Sequence, residues 1–220
     1  MAFFDFLSPT AAPLIDRSTE RMAAMLATSE TMFEAATSCL LDNRTLDLDL
    51  KALDDTVNDG EREIRRAVLE HMAVNPAEDL SHGLLLLSVV QDAERCGDLA
   101  KHIAKACAMA ESPRTGRHLE QLRVIRDHVS DQYPRTITAL RDGDADAGRA
   151  VMEAHDAMKG NVGAFLETLA SANDLTLNEA VVLTLSAQYI GRVSSHLSNI
   201  ASAVAMPFDL VRSSPSAVAA

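Results

Sequence analysis

The stretch DAERCGDLAKHIA, residues 92–104, places two carboxylates one helical turn apart. Glu94 and Asp98 are separated by four positions, so their side chains share one face if this stretch is helical. Gly97 lies between them, although a glycine inside a helix costs about 1 kcal/mol relative to alanine. Two acids on one face can share a proton, pair with neighbouring cations or bind a metal ion together.

The segment LDDTVNDGE, residues 53–61, supplies further oxygen donors. Asn75-Pro76 separates it from the first stretch and is typical of a helix start after a turn. If the two flanking helices form an antiparallel hairpin about this turn, equal counting in both directions brings Asp54 and Asn58 level with the two acids of the first stretch. Oxygen ligands then converge from two helices.

Two interpretations of this group are compatible with the spacing. In the first, Arg95 and Lys101 neutralise the acids as solvated salt bridges, each worth a few tenths of a kcal/mol. In the second, a cation lies among the oxygens, because clustered carboxylates do not all stay ionised without a counter-charge. Oxygen ligands favour Mg, Mn, Ca or Fe, and the sequence has neither a Cys-x-x-Cys nor a Glu-x-x-His pair. Spacing alone leaves both interpretations open.

Proline and capping residues divide the chain into six predicted helices. Ser-Pro and Asn-Pro pairs mark helix starts, and Thr176 with Glu179 has the spacing of a capping box. Apolar residues recur at helical spacing between these signals, and no segment alternates as a strand does. Pro134 is expected to kink or shorten the fourth helix. The predicted helices span residues 10–42, 47–73, 77–110, 113–142, 145–171 and 177–205.

The order of long helices and short connections repeats itself, which indicates an internal duplication. CGDLAKHIAKA ends the third helix and VSSHLSNIASA ends the sixth. With Arg95 aligned on Arg192, Ile103 falls on Ile200. The predicted fold is therefore all-α, with two tandem three-helix bundles related by internal duplication.

The repeats suggest a division of the chain into three parts. We expect the first three-helix repeat over residues 1–110, including an apolar N-terminal segment over residues 1–8. The second repeat is expected over residues 111–206, followed by a flexible C-terminal tail over residues 207–220.

The composition excludes several classes of partner. The chain has 220 residues and is 47% hydrophobic, which suits a globular core, and its net charge of -12 disfavours nucleic acid and anionic membranes. The most apolar run, HGLLLLSVVQDAER, is shorter than the roughly 20 residues of a membrane span. The N-terminus lacks the basic region of a signal peptide, and the three cysteines form no metal motif. We expect a soluble, reduced, cytoplasmic protein without membrane insertion.

The sequence also gives little sign of catalysis. No phosphate-binding glycine-rich loop is present, and neither the cysteines nor the serines show a recognisable nucleophile pattern. We therefore expect a protein that is not an enzyme.

Both acidic segments resemble motifs of the PhoU family, the regulators of bacterial phosphate uptake. AERCGDLAKHIA is similar to the family's signature helix, Glu-Arg-Ile-Gly-Asp followed by Ile-Ala or Ile-Cys. LDDTVNDGEREIRRAVLEH is similar to the partner motif, an acid four residues before Asn or Asp and then a Glu. The resemblance covers about residues 10–205.

This resemblance implies metal-ligand roles for Glu94 and Asp98, with Asp54 and Asn58 opposite. The implied cofactor is a divalent or trivalent metal ion, one of Mg, Mn, Fe, Zn or Ca. The second repeat departs from the family pattern.

The family's Glu and Asp positions are occupied in the second repeat by Gly191 and Ser195, and the facing positions by His155 and Lys159. A lysine at a ligand position repels a cation. We therefore predict at most one metal site of the family type.

The resemblance further implies a cytoplasmic helical adaptor that regulates phosphate transport and phosphate-responsive signalling without catalysis. Its implied partners are a membrane phosphate transporter, a sensor histidine kinase or both, and a second copy of the chain in a homodimer. Two alternatives stay open: an accessory regulator of a sodium-phosphate or other ion transporter, and a metal-dependent enzyme on a helical bundle.

Overall fold

The computed structural model describes residues 14–74 and 80–213, and within these ranges all regular secondary structure is helical and no strand is present. The first repeat contains α1 (Leu14–Asp42), α2 (Leu50–Val74) and α3 (Leu80–Ala108). The second contains α4 (Arg117–Ser130), α5 (Gln132–Asp142), α6 (Ala145–Ala170) and α7 (Leu177–Ala205), and a short 3-10 turn follows at Phe208–Leu210. The all-α prediction is confirmed, while the apolar segment 1–8 and the turn at Asn75-Pro76 lie outside the described residues.

The fourth predicted helix is present as two consecutive segments, α4 and α5, which meet at Asp131. Pro134 explains the break, because proline has no backbone N–H and its ring crowds the carbonyl four residues earlier, here that of Ser130. The prediction of a kinked fourth helix is confirmed. With α4 and α5 counted as one, each repeat has three helices.

The start of α4 differs from the prediction by several residues. A helix was expected from residue 113, whereas α4 begins at Arg117. The reason is a long-range contact of Arg114: its backbone N–H donates to Asn43 Oδ1 at 2.9 Å, and its guanidinium donates to the carbonyl oxygen of Cys39 at 2.8 Å. These bonds satisfy the end of α1 and hold Arg114 in a connection rather than a helix.

Both repeats contribute to one hydrophobic core. The helix α3 lies at its centre and packs against both α1 and α7, and the other helices cover these three. Fully buried side chains come from every helix: Met22, Phe33, Ile64, Ile103, Leu122, Tyr133, Met158, Ile190 and Leu197. The repeats therefore fold onto each other rather than standing apart. In the described ranges, no helix combines the length and apolar character that crossing a lipid bilayer requires.

The glycines at positions 148 and 97 differ in whether helix packing requires them. A Cβ atom on Gly148 of α6 would lie 3.0 Å from the carbonyl oxygen of Ala201 in α7, so this crossing requires a glycine. A Cβ on Gly97 would lie 3.6 Å from Met32 Sδ and 3.8 Å from Asp54 Oδ1, which are ordinary contacts. Packing therefore does not explain the glycine at position 97.

Candidate functional site

The hairpin of α2 and α3 brings the four predicted site residues onto one face. Lys101 joins the two helices: its Nζ lies 2.6 Å from Asp54 Oδ2 and 2.9 Å from Asp98 Oδ1. Asn58 Nδ2 donates to Asp54 Oδ2 at 3.2 Å. Glu94 lies one turn before Asp98 on the same face of α3. We call this group, Asp54, Asn58, Glu94 and Asp98, the acidic cluster.

Arg95 provides a second counter-charge to the acidic cluster. Its Nη1 donates to Asp98 Oδ2 at 2.8 Å, and its Nε lies 3.5 Å from Glu94 Oε2. Asp98 is thus held between two cations, as in the salt-bridge interpretation of the sequence. Arg95 is half exposed and Lys101 is partly buried, so the Lys101 pairs are less screened by solvent.

Burial and neighbouring charges give the carboxyl groups of Glu94 and Asp98 different pKa values. Burial raises the pKa of Glu94 to about 7, and the negative charge of Asp98 adds to this. Burial also acts to raise the pKa of Asp98, but hydrogen bonding and charge from Lys101 outweigh it and lower that pKa. Asp98 is therefore ionised at neutral pH, whereas Glu94 titrates there.

Two oxygens of the acidic cluster are buried without a hydrogen-bond partner in the protein: Asp54 Oδ1 and Glu94 Oε2. Carboxylate and amide oxygens are the ligands that hard cations prefer, so the donor set fits such an ion. Within residues 14–74 and 80–213, however, no three His, Cys, Asp or Glu side chains already form a metal-binding group. The ammonium of Lys101 lies between Asp54 and Asp98, where a shared cation would be held. Metal binding at the acidic cluster stays a prediction.

In the second repeat, the residues that replace the acids face one another across the α6–α7 hairpin, as predicted. His155 and Lys159 of α6 line one cavity together with Gly191 and Ser195 of α7. The structure thus brings together the equivalent positions of the two repeats in the same manner. The chemical character of the two faces is different, because the second carries a lysine and no carboxylate at these four positions.

A buried carboxylate at Asp92 was missed by the sequence reasoning. Asp92 lies in α3, two residues before Glu94, and therefore points away from the acidic cluster. It accepts hydrogen bonds from His196 Nδ1 at 2.8 Å, Asn199 Nδ2 at 2.9 Å and Arg212 Nη2 at 2.6 Å. Burial acts to raise the pKa of Asp92, but these three bonds outweigh it and lower that pKa.

Arg212 belongs to residues 207–213, part of the segment predicted as a flexible tail. Its backbone N–H donates to Ser202 Oγ at 2.9 Å, and its guanidinium also donates to the carbonyl oxygen of Ser88. This part of the segment therefore packs across α3 and α7. The sequence did contain a signal for Asp92, since an acid inside the apolar run of α3 requires a buried partner. It contained no signal that Arg212 is one of those partners.

The pKa of Glu94 predicts a pH-dependent effect of removing its charge. Because the folded protein binds this proton more tightly than the unfolded chain, ionised Glu94 opposes folding above about pH 7, and this penalty is absent below pH 4.5. We expect Glu94→Gln to raise the free energy of unfolding at pH 8 by about 1–2 kcal/mol, with little change at pH 4.5.

Urea unfolding of the wild type and of this variant at both pH values measures the effect. Glu153→Gln, at an exposed position of α6, is the control and should change little at either pH. Equal stability of Glu94→Gln and the wild type at pH 8 would contradict the assignment of a raised pKa to Glu94.

The fold and the site alone define the class of protein, an all-α protein built from an internal duplication. The protein consists of two three-helix repeats on one core, with a polar cluster on the surface of the first hairpin and an altered equivalent on the second. Residues 22–107, which hold the whole acidic cluster, match the family model of the PhoU domain.

Comparison with known proteins extends this match over most of the chain. A curated relative, the phosphate-specific transport system accessory protein PhoU homolog of Deinococcus radiodurans, is 26% identical over an alignment of 188 residues, and the alignment covers 82% of this chain and 87% of the relative. The crystal structure of PhoU from Pseudomonas aeruginosa has a TM-score of 0.78 at 23% identity and covers 87% of this chain and 95% of its own.

A second solved structure agrees in fold. The phosphate transport system regulatory protein PhoU from Streptococcus pneumoniae also has a TM-score of 0.78, at 14% identity, and covers 86% of this chain and 92% of its own. The first repeat of the chain thus matches the PhoU-domain model, and most of the chain is similar in fold to PhoU proteins.

Proposed function

We propose that this protein is a non-enzymatic regulator of phosphate transport that acts as a helical adaptor. The observation that carries the proposal is the PhoU-domain match over residues 22–107, which includes every residue of the acidic cluster. The relative from Deinococcus radiodurans is named an accessory protein of a phosphate-specific transport system, and the similarity extends over both repeats. A regulator of this kind works by binding a partner.

We infer that the partner is a membrane phosphate transporter, a sensor histidine kinase or both, reached from the cytoplasmic side, and that the chain forms a homodimer. Exposed apolar side chains at the ends of α2 and α3 support a protein partner. Leu69 is 68% exposed and Val74 is 51% exposed, and Leu80 and Leu84 are exposed on the neighbouring helix. Grouped exposed apolar side chains are typical of interaction surfaces.

The buried thiols of Cys96 and Cys107 argue against nucleophilic catalysis by these side chains. Burial raises the pKa of Cys107 to about 12 and raises the pKa of Cys96 further. Because the thiolate is the nucleophile, neither side chain is reactive at neutral pH. This favours the adaptor over an enzyme that uses these cysteines.

The family resemblance adds a metal ion to the proposal, and the structure limits how it binds. The oxygens of Asp54, Asn58, Glu94 and Asp98 would hold the ion, which when bound supplies positive charge to the acidic cluster. Lys101 already supplies such a charge, and like charges at this distance repel. We propose that a metal ion and the ammonium of Lys101 compete for the cluster, so that metal loading changes the charge and shape of the surface that a partner contacts.

This competition predicts that Lys101→Met binds metal more tightly than the wild type. Loss of the ammonium leaves the carboxylates of Asp54 and Asp98 without their shared counter-charge, and we expect at least a tenfold increase in Mn²⁺ affinity by calorimetry. The double variant Glu94→Ala, Asp98→Ala should lose the ion. Lys105→Met, at an exposed position on the same helix, is the control and should behave as the wild type.

Metal analysis of protein purified without chelator completes this experiment. Equal and near-zero metal in the wild type, in Lys101→Met and in the double variant would remove the ion from the proposal and leave the adaptor. Equal affinity of Lys101→Met and the wild type would contradict the competition alone.

The regulatory role itself is tested in the source cells. Deletion of the gene should raise the rate of radiolabelled phosphate uptake several-fold in cells grown with excess phosphate, and the wild-type gene should restore repression. Unchanged uptake would contradict the proposed function. A change in uptake that depends on sodium would instead favour the accessory of a sodium-phosphate transporter.

A further inference from the structure

The α6–α7 hairpin contains a cavity at the position equivalent to the acidic cluster. Its volume is about 170 Å³. Each helix supplies four lining residues at positions i, i+3, i+4 and i+7, which is one helical face. The lining residues are His155, Met158, Lys159 and Val162 from α6 and Gln188, Gly191, Arg192 and Ser195 from α7.

The internal duplication shows what has changed at this position. The alignment of Arg95 on Arg192 places Glu94 on Gly191 and Asp98 on Ser195, so both acids of α3 are lost in α7. On the facing helix, Lys159 stands where the first repeat has the amide of Asn58. The same geometry therefore carries positive charge in the second repeat and negative charge in the first.

The two arginines that the alignment equates differ in their pairing. Arg95 is bonded to Asp98 and lies beside Glu94. Arg192 is exposed and has no ion pair or side-chain hydrogen bond within the described residues. In a chain with a net charge of -12, an arginine at a cavity without a carboxylate partner is a free anion-binding group.

Lys159 adds a second cation to the cavity. Its Nζ is paired with Asp156 Oδ1 at 2.6 Å, and its side chain is 57% exposed. An ammonium has three N–H donors, so this pair leaves two of them for a ligand.

Gly191 keeps the cavity open. A Cβ atom at this position would lie 3.1 Å from Val162 Cγ2, and the glutamate that the first repeat has here would fill the space. The glycine thus gives an anion access to Arg192 and Lys159.

His155 is held in a defined orientation beside these cations. Its Nδ1 lies 3.0 Å from Ser194 Oγ, and the Ser194 hydroxyl donates to Gln132 Oε1 at 2.8 Å. With the Ser194 proton used for Gln132, the proton of a neutral imidazole belongs on Nδ1, and Nε2 is an acceptor. Burial lowers the pKa of His155, as does the charge of Lys159, which favours the neutral ring.

We propose that this cavity binds a small tetrahedral oxyanion of the phosphate class, held by Arg192 and Lys159. The volume of about 170 Å³ is more than ten times the roughly 10–15 Å³ of such space that a cavity needs to hold one water molecule, which is enough for an ion of five heavy atoms. A protonated phosphate oxygen can donate to His155 Nε2, whereas sulfate at neutral pH has no proton to donate. The inference goes beyond the proposed function and does not rest on it.

Calorimetry of the full chain with inorganic phosphate tests this site, at constant ionic strength. The wild type should bind one phosphate saturably. Arg192→Gln and Lys159→Gln should each weaken binding at least tenfold, because each removes one charged donor. Sulfate should bind several-fold more weakly than phosphate.

Arg95→Gln is the matched control, since it removes the equivalent arginine of the first repeat, and it should retain phosphate affinity within about twofold of the wild type. Circular dichroism checks that the variants are folded, which their exposed positions favour. Wild-type protein without saturable phosphate binding in the low millimolar range would overturn the proposal. Unchanged affinity in both Arg192→Gln and Lys159→Gln would overturn it as well.

Discussion

The buried carboxylate of Asp92 fixes how the two repeats meet. It lies in α3 of the first repeat, is 3% exposed, and accepts hydrogen bonds from His196 and Asn199 of α7 and from Arg212 beyond it. A buried charge whose partners are removed costs about 3–5 kcal/mol, so only one register of α3 against α7 satisfies it well. That register in turn orients the two hairpins, since each hairpin consists of one of these helices and its neighbour.

The internal duplication produces two equivalent hairpin faces, and the side chains on these two faces are opposite in charge. In the first repeat, Asp54 and Asp98 share the ammonium of Lys101. In the second, Lys159 and Arg192 line a cavity in which Gly191 and Ser195 occupy the positions equivalent to the two acids of α3. Because the helices that carry these residues pack on a common core, their side chains can change without altering the fold. A duplicated scaffold can thereby offer a cation-type and an anion-type surface in one molecule.

Local signals in the sequence predicted most of the helices. The helix predicted over residues 177–205 matches α7 because its capping box, Thr176 with Glu179, is made by neighbouring residues. The register of the α2–α3 hairpin was also predictable, since two helices joined by a short turn pair residues at equal distances from it. Asp54, Asn58 and Asp98 accordingly lie together around Lys101.

Contacts between distant residues were beyond sequence reasoning. Arg114 leaves the expected helix because it bonds the end of α1, and Arg212, beyond the end of α7, bonds Asp92 of α3, 120 positions earlier in the chain. Nothing in the local sequence of either arginine indicates its partner. The spacing likewise could not decide whether Lys101 lies between the acids or beside them, because a long side chain adopts many rotamers. The glycine at position 97 has no packing explanation in the structure.

The union of the two repeats through α3 and α7 is tested most directly by native-state hydrogen exchange. The account predicts that the slowest amides of α3 and α7 share one opening free energy in the wild type. Asp92→Asn should lower both by the same amount, about 1.5–3 kcal/mol, because it weakens hydrogen bonds to a charged group, whereas Asp55→Asn on the exposed face of α2 should lower neither. Separate opening free energies for α3 and α7, or a loss confined to one of them in Asp92→Asn, would contradict it.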